Sequence, residues 1–140
     1  MSVRGSSRIR VRYAETDQMG FAWHGNYLAW FEVARTDLLR EFGMTYRELE
    51  ERDLCLPVIE SGVRHLRPAR YDDELDVLMR CARIGRSSLT FLVEIWRGDD
   101  QLVSGELIYV HADPELRRSA PLPERLVRAI STFERGERTR

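Results

Sequence analysis

From Leu75 to His111 the chain places an apolar residue at nearly every second position. Leu75, Val77, Met79 and Cys81 alternate with Asp76, Leu78, Arg80 and Ala82; Leu89, Phe91, Val93 and Ile95 alternate with Thr90, Leu92, Glu94 and Trp96. Val103, Leu107 and Tyr109 extend the pattern through Gln101–His111. A period of two is the mark of strands with one face on a core. Gly85 and Gly98-Asp99-Asp100 separate the runs as turn signals, so they read as consecutive strands of a meander. Such strands bury one face only, and something must cover it.

The cover is legible further upstream. Tyr27, Phe31, Ala34, Leu38 and Phe42 recur at three or four residues, with Trp30 and Leu39 widening the apolar face, while Glu32, Arg35, Arg40 and Glu41 fall elsewhere on the surface. This predicts a long helix covered over much of its circumference, stopped at Gly43. Before it, Arg8–Tyr13 alternates basic and apolar residues as a half-buried strand would, and a loop runs from Ala14 to about Trp23. Thr45 and Glu48 are spaced as a capping box for a short helix over Thr45–Arg52. Pro121 and Pro123 close the strand region ahead of an amphipathic helix over Leu122–Phe133. Strand, long helix and meander, without strand–helix alternation, make an α+β domain with an antiparallel sheet. One domain over residues 8–134 is expected, with polar, frayed ends at 1–7 and 135–140.

Several function classes are excluded. The net charge of -1 lacks the basic excess of a nucleic-acid binder. All 22 basic residues are arginine, which removes Schiff-base and P-loop lysine chemistry and leaves side chains suited to gripping phosphate. No run approaches the roughly 20 apolar residues of a membrane span, and no stretch has the order of a secretory signal; a cytoplasmic protein is expected. Cys55 and Cys81 lie in apolar stretches and read as buried thiols. His24, His65 and His111 are scattered, so no metal site is expected.

The chemistry-bearing stretch is Tyr13–Tyr27, in which Asp17, Gly20, His24 and Gly25 precede the most apolar helix. A helix N-terminus presents unpaired N–H groups and partial positive charge, able to polarise a carbonyl. A carboxylate shortly upstream can attack that carbonyl or activate water against it. The same pattern also suits a loop aspartate that is solvated or caps the helix.

Asp17-x-x-Gly20-x-x-x-His24-x-Asn26-Tyr27 resembles the signature of hotdog-fold acyl-CoA thioesterases of the 4-hydroxybenzoyl-CoA thioesterase type, most nearly the subgroup found with the bacterial Tol–Pal system. The likeness continues in Phe31-Glu32-x-Ala34-Arg35, Pro68–Asp73 and Gly85–Leu89, and runs from about Arg8 to Phe133. It implies a curved antiparallel sheet wrapped around a long central helix, in homodimers often paired into homotetramers, with the active site at the dimer interface. Asp17 would be the catalytic carboxylate; the backbone N–H groups of His24 and Gly25 would hold the thioester oxygen. The His24 side chain would orient substrate or water, or else merely pack the loop. The substrate would be an acyl-CoA thioester, with no other cofactor.

Glu15, two residues before Asp17, is read as solvated or paired to arginine. Arg83, Arg86, Ser87 and Ser88 flank a turn that suits coenzyme A phosphates, or is simply polar and exposed. Tyr71-Asp72-Asp73 reads as a structural turn, and Trp23 and Met19 can line an acyl pocket. Two other functions fit the same pattern: an acyl-thioester hydratase or dehydratase, and a non-catalytic module binding acyl carrier protein or a lipid-synthesis enzyme.

Overall fold

The computed structural model describes residues 5–43, 55–113, 115 and 118–134. In chain order these form β1 (Gly5–Arg10), a 3-10 turn (Tyr13–Glu15), α1 (Asn26–Glu41), β2 (Val58–His65), β3 (Glu74–Ile84), β4 (Ser88–Arg97), β5 (Asp100–Val110), a small hairpin of β6 (Ala112–Asp113) and β7 (Arg118–Ser119), and α2 (Glu124–Glu134). The five long strands make one antiparallel sheet in the order β1-β3-β4-β5-β2. The short helix expected over Thr45–Arg52 lies outside the described residues.

The period-two pattern translates directly into burial. Leu75, Val77 and Met79 of β3, Leu89, Phe91, Val93 and Ile95 of β4, and Val103, Leu107 and Tyr109 of β5 are buried against Tyr27, Trp30, Phe31, Ala34 and Leu38 of α1. Fully burying a side chain of the size of Phe31 contributes ~1.5–3 kcal/mol. The alternation skips position 105 because Phe31 occupies that space: a Cβ on Gly105 would lie 2.6 Å from the ring. The helix can therefore settle onto β5. Gly43 ends α1 with φ 83, its N–H bonded to the Arg40 carbonyl at 2.9 Å. α2 buries Leu126 and Ile130 and sets Phe133 edge-on to Phe42, ring centroids 5.1 Å apart.

Four expectations need correction. The first strand lies earlier than Arg8–Tyr13: Arg8 and Arg10 of β1 reach Asp76, Glu74 and Asp72 across the sheet, and Tyr13 leaves it for the 3-10 turn, 78% exposed and edge-on to Tyr71. Within one chain α1 keeps an open side bearing Leu28 and Val33. Arg35 is not a surface residue; its side chain is 11% exposed, its Nε donates to Glu32 Oε2 at 2.9 Å, and its guanidinium lies over the Tyr109 ring. Cys55 is half-buried, unlike Cys81.

β2 is the strand whose burial shows no such alternation. Of its eight residues only Val63 is partly buried, so no apolar alternation marks it. A register shift between Val58 and Glu60 bulges the strand at Ile59, which is 61% exposed.

Candidate active site

The loop between β1 and α1 is a tight double-backed turn. Thr16 bridges Ala22, Asp17 N–H donates to the Phe21 carbonyl at 2.9 Å, and Gly20 N–H returns to the Asp17 carbonyl at 3.0 Å. Gly20 takes φ 83, a conformation that a side chain disfavours. Asp17 Oδ1 accepts the Met19 N–H at 2.8 Å, the Asx geometry expected of an aspartate in a turn. Among the described residues Oδ2 accepts no hydrogen bond, and the side chain is half-buried.

The loop is docked by the segment after β2. Ala22 N–H donates to the Ala69 carbonyl at 2.8 Å, Phe21 bridges Arg70, and the Arg70 guanidinium sits 5.2 Å over the Phe21 ring. Asp73 braces this segment by accepting from Arg70 N–H and Arg97, each at 2.8 Å. Asp72, at φ 68, completes the turn before β3.

Glu15 ties the same loop to the helix. Its carboxylate accepts the Arg12 N–H at 2.8 Å, Arg12 Nε at 3.3 Å and the Trp30 indole N–H at 2.9 Å; its carbonyl accepts Trp23 N–H and the Asn26 side-chain amide. Burial alone would raise its pKa, but these donors outweigh it and hold the carboxyl below the usual glutamate range. The pairing to arginine is as read from sequence. The solvated alternative fails, since only 11% of the side chain is exposed.

No side chain caps α1. Asn26 N–H donates to the Trp23 carbonyl and Tyr27 N–H to that of His24, while the N–H groups of His24 and Gly25 make no hydrogen bond among the described residues. These are the two amides singled out in the sequence. His24 is exposed, its ring 5.2 Å from that of Trp23. The Trp23 indole folds over Gly25, where a Cβ would come within 2.2 Å of it. Since residues 15–17 run antiparallel to residues 21–23, Asp17 and the pair His24–Gly25 belong to one small unit.

Arg83, Arg86, Ser87 and Ser88 are elsewhere. They lie at the Ile84 end of β3, whereas the Asp17 loop neighbours its Glu74 end, through Asp72 N–H on Val11 and Arg10 on Glu74. Ten residue steps of strand separate the two ends by roughly 33 Å. Within one chain they do not meet. Cys81 is no nucleophile: burial and Glu134 push its thiol up to about 12. Among the described residues no three His, Cys, Asp or Glu side chains gather into a possible metal set, and no helix is long and apolar enough to cross a membrane.

The model of the thioesterase superfamily matches residues 19–104, a stretch beginning two residues after Asp17. The acyl-CoA thioester hydrolase YbgC of Escherichia coli O6:H1 is 30% identical over 120 residues, 85% of this chain and 90% of that protein. The putative acyl-CoA thioesterase YneP of Bacillus subtilis is 43% identical over 65 residues, which span 46% of this chain and 47% of that one. Among solved structures, the hypothetical protein TT1821 of Thermus thermophilus superposes with a TM-score of 0.87 at 35% identity, covering 92% of this chain and 98% of the other. The DHNA-CoA thioesterase of Staphylococcus aureus superposes with a TM-score of 0.85 at 25% identity over 95% of each. The sheet wrapped on α1 is the hotdog arrangement of these relatives, and the chain belongs to the thioesterase superfamily.

Proposed function

We propose that this protein hydrolyses an acyl-CoA thioester to a free carboxylic acid and coenzyme A, with Asp17 as its catalytic carboxylate. The observation that carries the reading is that one small unit holds a carboxylate oxygen, Asp17 Oδ2, and two amides, those of His24 and Gly25 at the head of α1, which make no hydrogen bond among the described residues. The amides hold the thioester oxygen and take up negative charge as the carbonyl carbon becomes tetrahedral. Asp17 either attacks that carbon, expelling the thiolate and leaving a mixed anhydride for water to open, or takes a proton from the attacking water. His24, exposed beside them, orients substrate or water. The only cofactor-like group is the coenzyme A of the substrate, and the protein works in the cytoplasm.

The active unit is a homodimer. β2 is an edge strand with seven of its eight residues exposed, among them Val58 and Ile59. Such an edge is a template for a second strand. Two copies joined antiparallel along β2 set the Val58 end of one beside the His65 end of the other. His65 packs on Tyr27 in the first turn of α1, while Val58 lies at the end of the sheet that holds Ser88 and Val110. The partner's turn at Arg83–Ser88 is then turned toward this chain's Asp17 loop, where it can receive the coenzyme A phosphates. Further pairing into tetramers, and delivery of the acyl group on acyl carrier protein, are compatible with this unit.

Incubation with short, medium, long and aromatic acyl-CoAs, read by a thiol-reporting dye, tests the proposal. Free thiol should appear with at least one of them. Asp17→Asn should lose about 100-fold or more of kcat while remaining folded. Full activity in that variant overturns the assignment, and loss of enoyl absorbance without thiol release would make the enzyme a hydratase.

A further inference from the structure

His111, directly after β5, joins three segments of chain. Its N–H donates to the Ser87 carbonyl at 2.7 Å, and its own carbonyl accepts Ala120 N–H at 2.9 Å. Its ring Nδ1 lies 3.0 Å from the Pro121 carbonyl oxygen. A carbonyl only accepts, so Nδ1 carries the hydrogen. One residue further on, Leu122 N–H donates to the Arg86 carbonyl at 2.9 Å. The backbone of Arg86-Ser87 is thus held from outside by two bonds. One comes from the His111 N–H itself, and the other from Leu122, the residue after the Pro121 whose carbonyl the His111 ring meets. The turn closes on itself through Gly85 N–H to the Ser88 carbonyl at 2.8 Å, with the Ser88 hydroxyl so near Gly85 that a Cβ there would lie 2.4 Å from it.

Arg86 is exposed, and its side chain makes no ion pair among the described residues. A long, flexible arginine grips phosphate well only if its backbone is fixed. The ring Nε2 of His111 is buried and meets no partner among the described residues, so the contact it makes runs through Nδ1 alone.

We infer that His111 is a positioning residue for the coenzyme A end of the substrate, clamping the Arg86–Ser88 turn through its Nδ1–H bond to Pro121. This rests on reading that turn as the phosphate-binding element. The acting atom is a single donor on the second side-chain carbon, and asparagine carries an amide nitrogen at the equivalent place. His111→Asn therefore preserves the clamp, and His111→Leu removes it with similar bulk.

The test compares KM for an acyl-CoA with KM for the matching acyl-N-acetylcysteamine, which lacks the phosphates, in the full-length protein. The acyl group is the one hydrolysed fastest in the panel. Arg86→Ala and His111→Leu should each raise the KM ratio of acyl-CoA to truncated thioester ~5–10-fold, about the worth of one hydrogen bond. The change should fall on KM more than on kcat, with His111→Asn close to wild type. If Arg86→Ala raises the ratio and His111→Leu does not, the clamp is wrong and the phosphate reading stands. If Arg86→Ala leaves the ratio unmoved, the turn does not bind phosphate and both fall. Should His111→Leu fail to fold, His111→Gln, whose donor sits one methylene too far out, replaces it; a wild-type ratio there overturns the clamp.

Discussion

The indole N–H of Trp30 donates to Oε2 of Glu15 at 2.9 Å, fastening the second turn of α1 to the loop that carries Asp17. Hydrogen bonds to a charged acceptor contribute about 1.5–3 kcal/mol. Because the folded-state pKa of Glu15 lies below its unfolded value, its contribution is present above the ordinary glutamate pKa of about 4.3 and is lost as pH falls through the lower folded value. Glu15→Gln should reduce stability by ~1–2 kcal/mol at neutral pH. The gap from wild type should narrow on acidification below about pH 4, read from urea unfolding midpoints. A gap that stays constant with pH would mean the carboxylate charge does not matter here.

Gly105 faces Phe31 across the contact of β5 with α1, with the Gly62 carbonyl 3.1 Å from its would-be Cβ. Both neighbours are confined, one in the core and the other in backbone. Gly105→Ala should cost ~1–3 kcal/mol by overpacking, measurable in thermal and urea unfolding. An unchanged midpoint would show that α1 can lift off the sheet without penalty.

Gly25 meets a different kind of neighbour. The Trp23 indole over it is 53% exposed and free to swing outward. Gly25→Ala should therefore leave global stability within ~1 kcal/mol of wild type. Displacing the ring from the helix head should shift tryptophan fluorescence and lower kcat/KM about tenfold. Adding Trp23→Ala relieves the clash, so the two substitutions together should be non-additive in kcat/KM; strict additivity would refute the contact.

Ile59 bulges from the free edge of the sheet, exposed to solvent in one chain. If β2 joins two copies, Ile59→Glu places a charge in the seam, and sedimentation velocity should show monomers. kcat/KM should fall with dissociation, because in the proposed dimer the partner supplies the turn at Arg83–Ser88 that receives the phosphates. A monomeric variant that keeps wild-type kcat/KM would place the whole site in one chain.

Elements whose burial is one-sided and periodic are legible in the amino-acid order alone. Leu75–Cys81 and Leu89–Ile95 could only be strands with one buried face, and Tyr27–Phe42 only a helix with a broad apolar stripe, stopped at Gly43. The motif Asp17–Tyr27 likewise marks one loop and one helix start. β2 stayed invisible because periodicity registers contrast in burial, and an edge strand whose faces are both open carries none. The partnership of Glu15 with Trp30, the seating of Phe31 against Gly105 and the convergence of Ser87 and Pro121 on His111 join residues that are not neighbours in the chain. No local pattern encodes such contacts. They exist only once the chain has folded and brought these segments side by side.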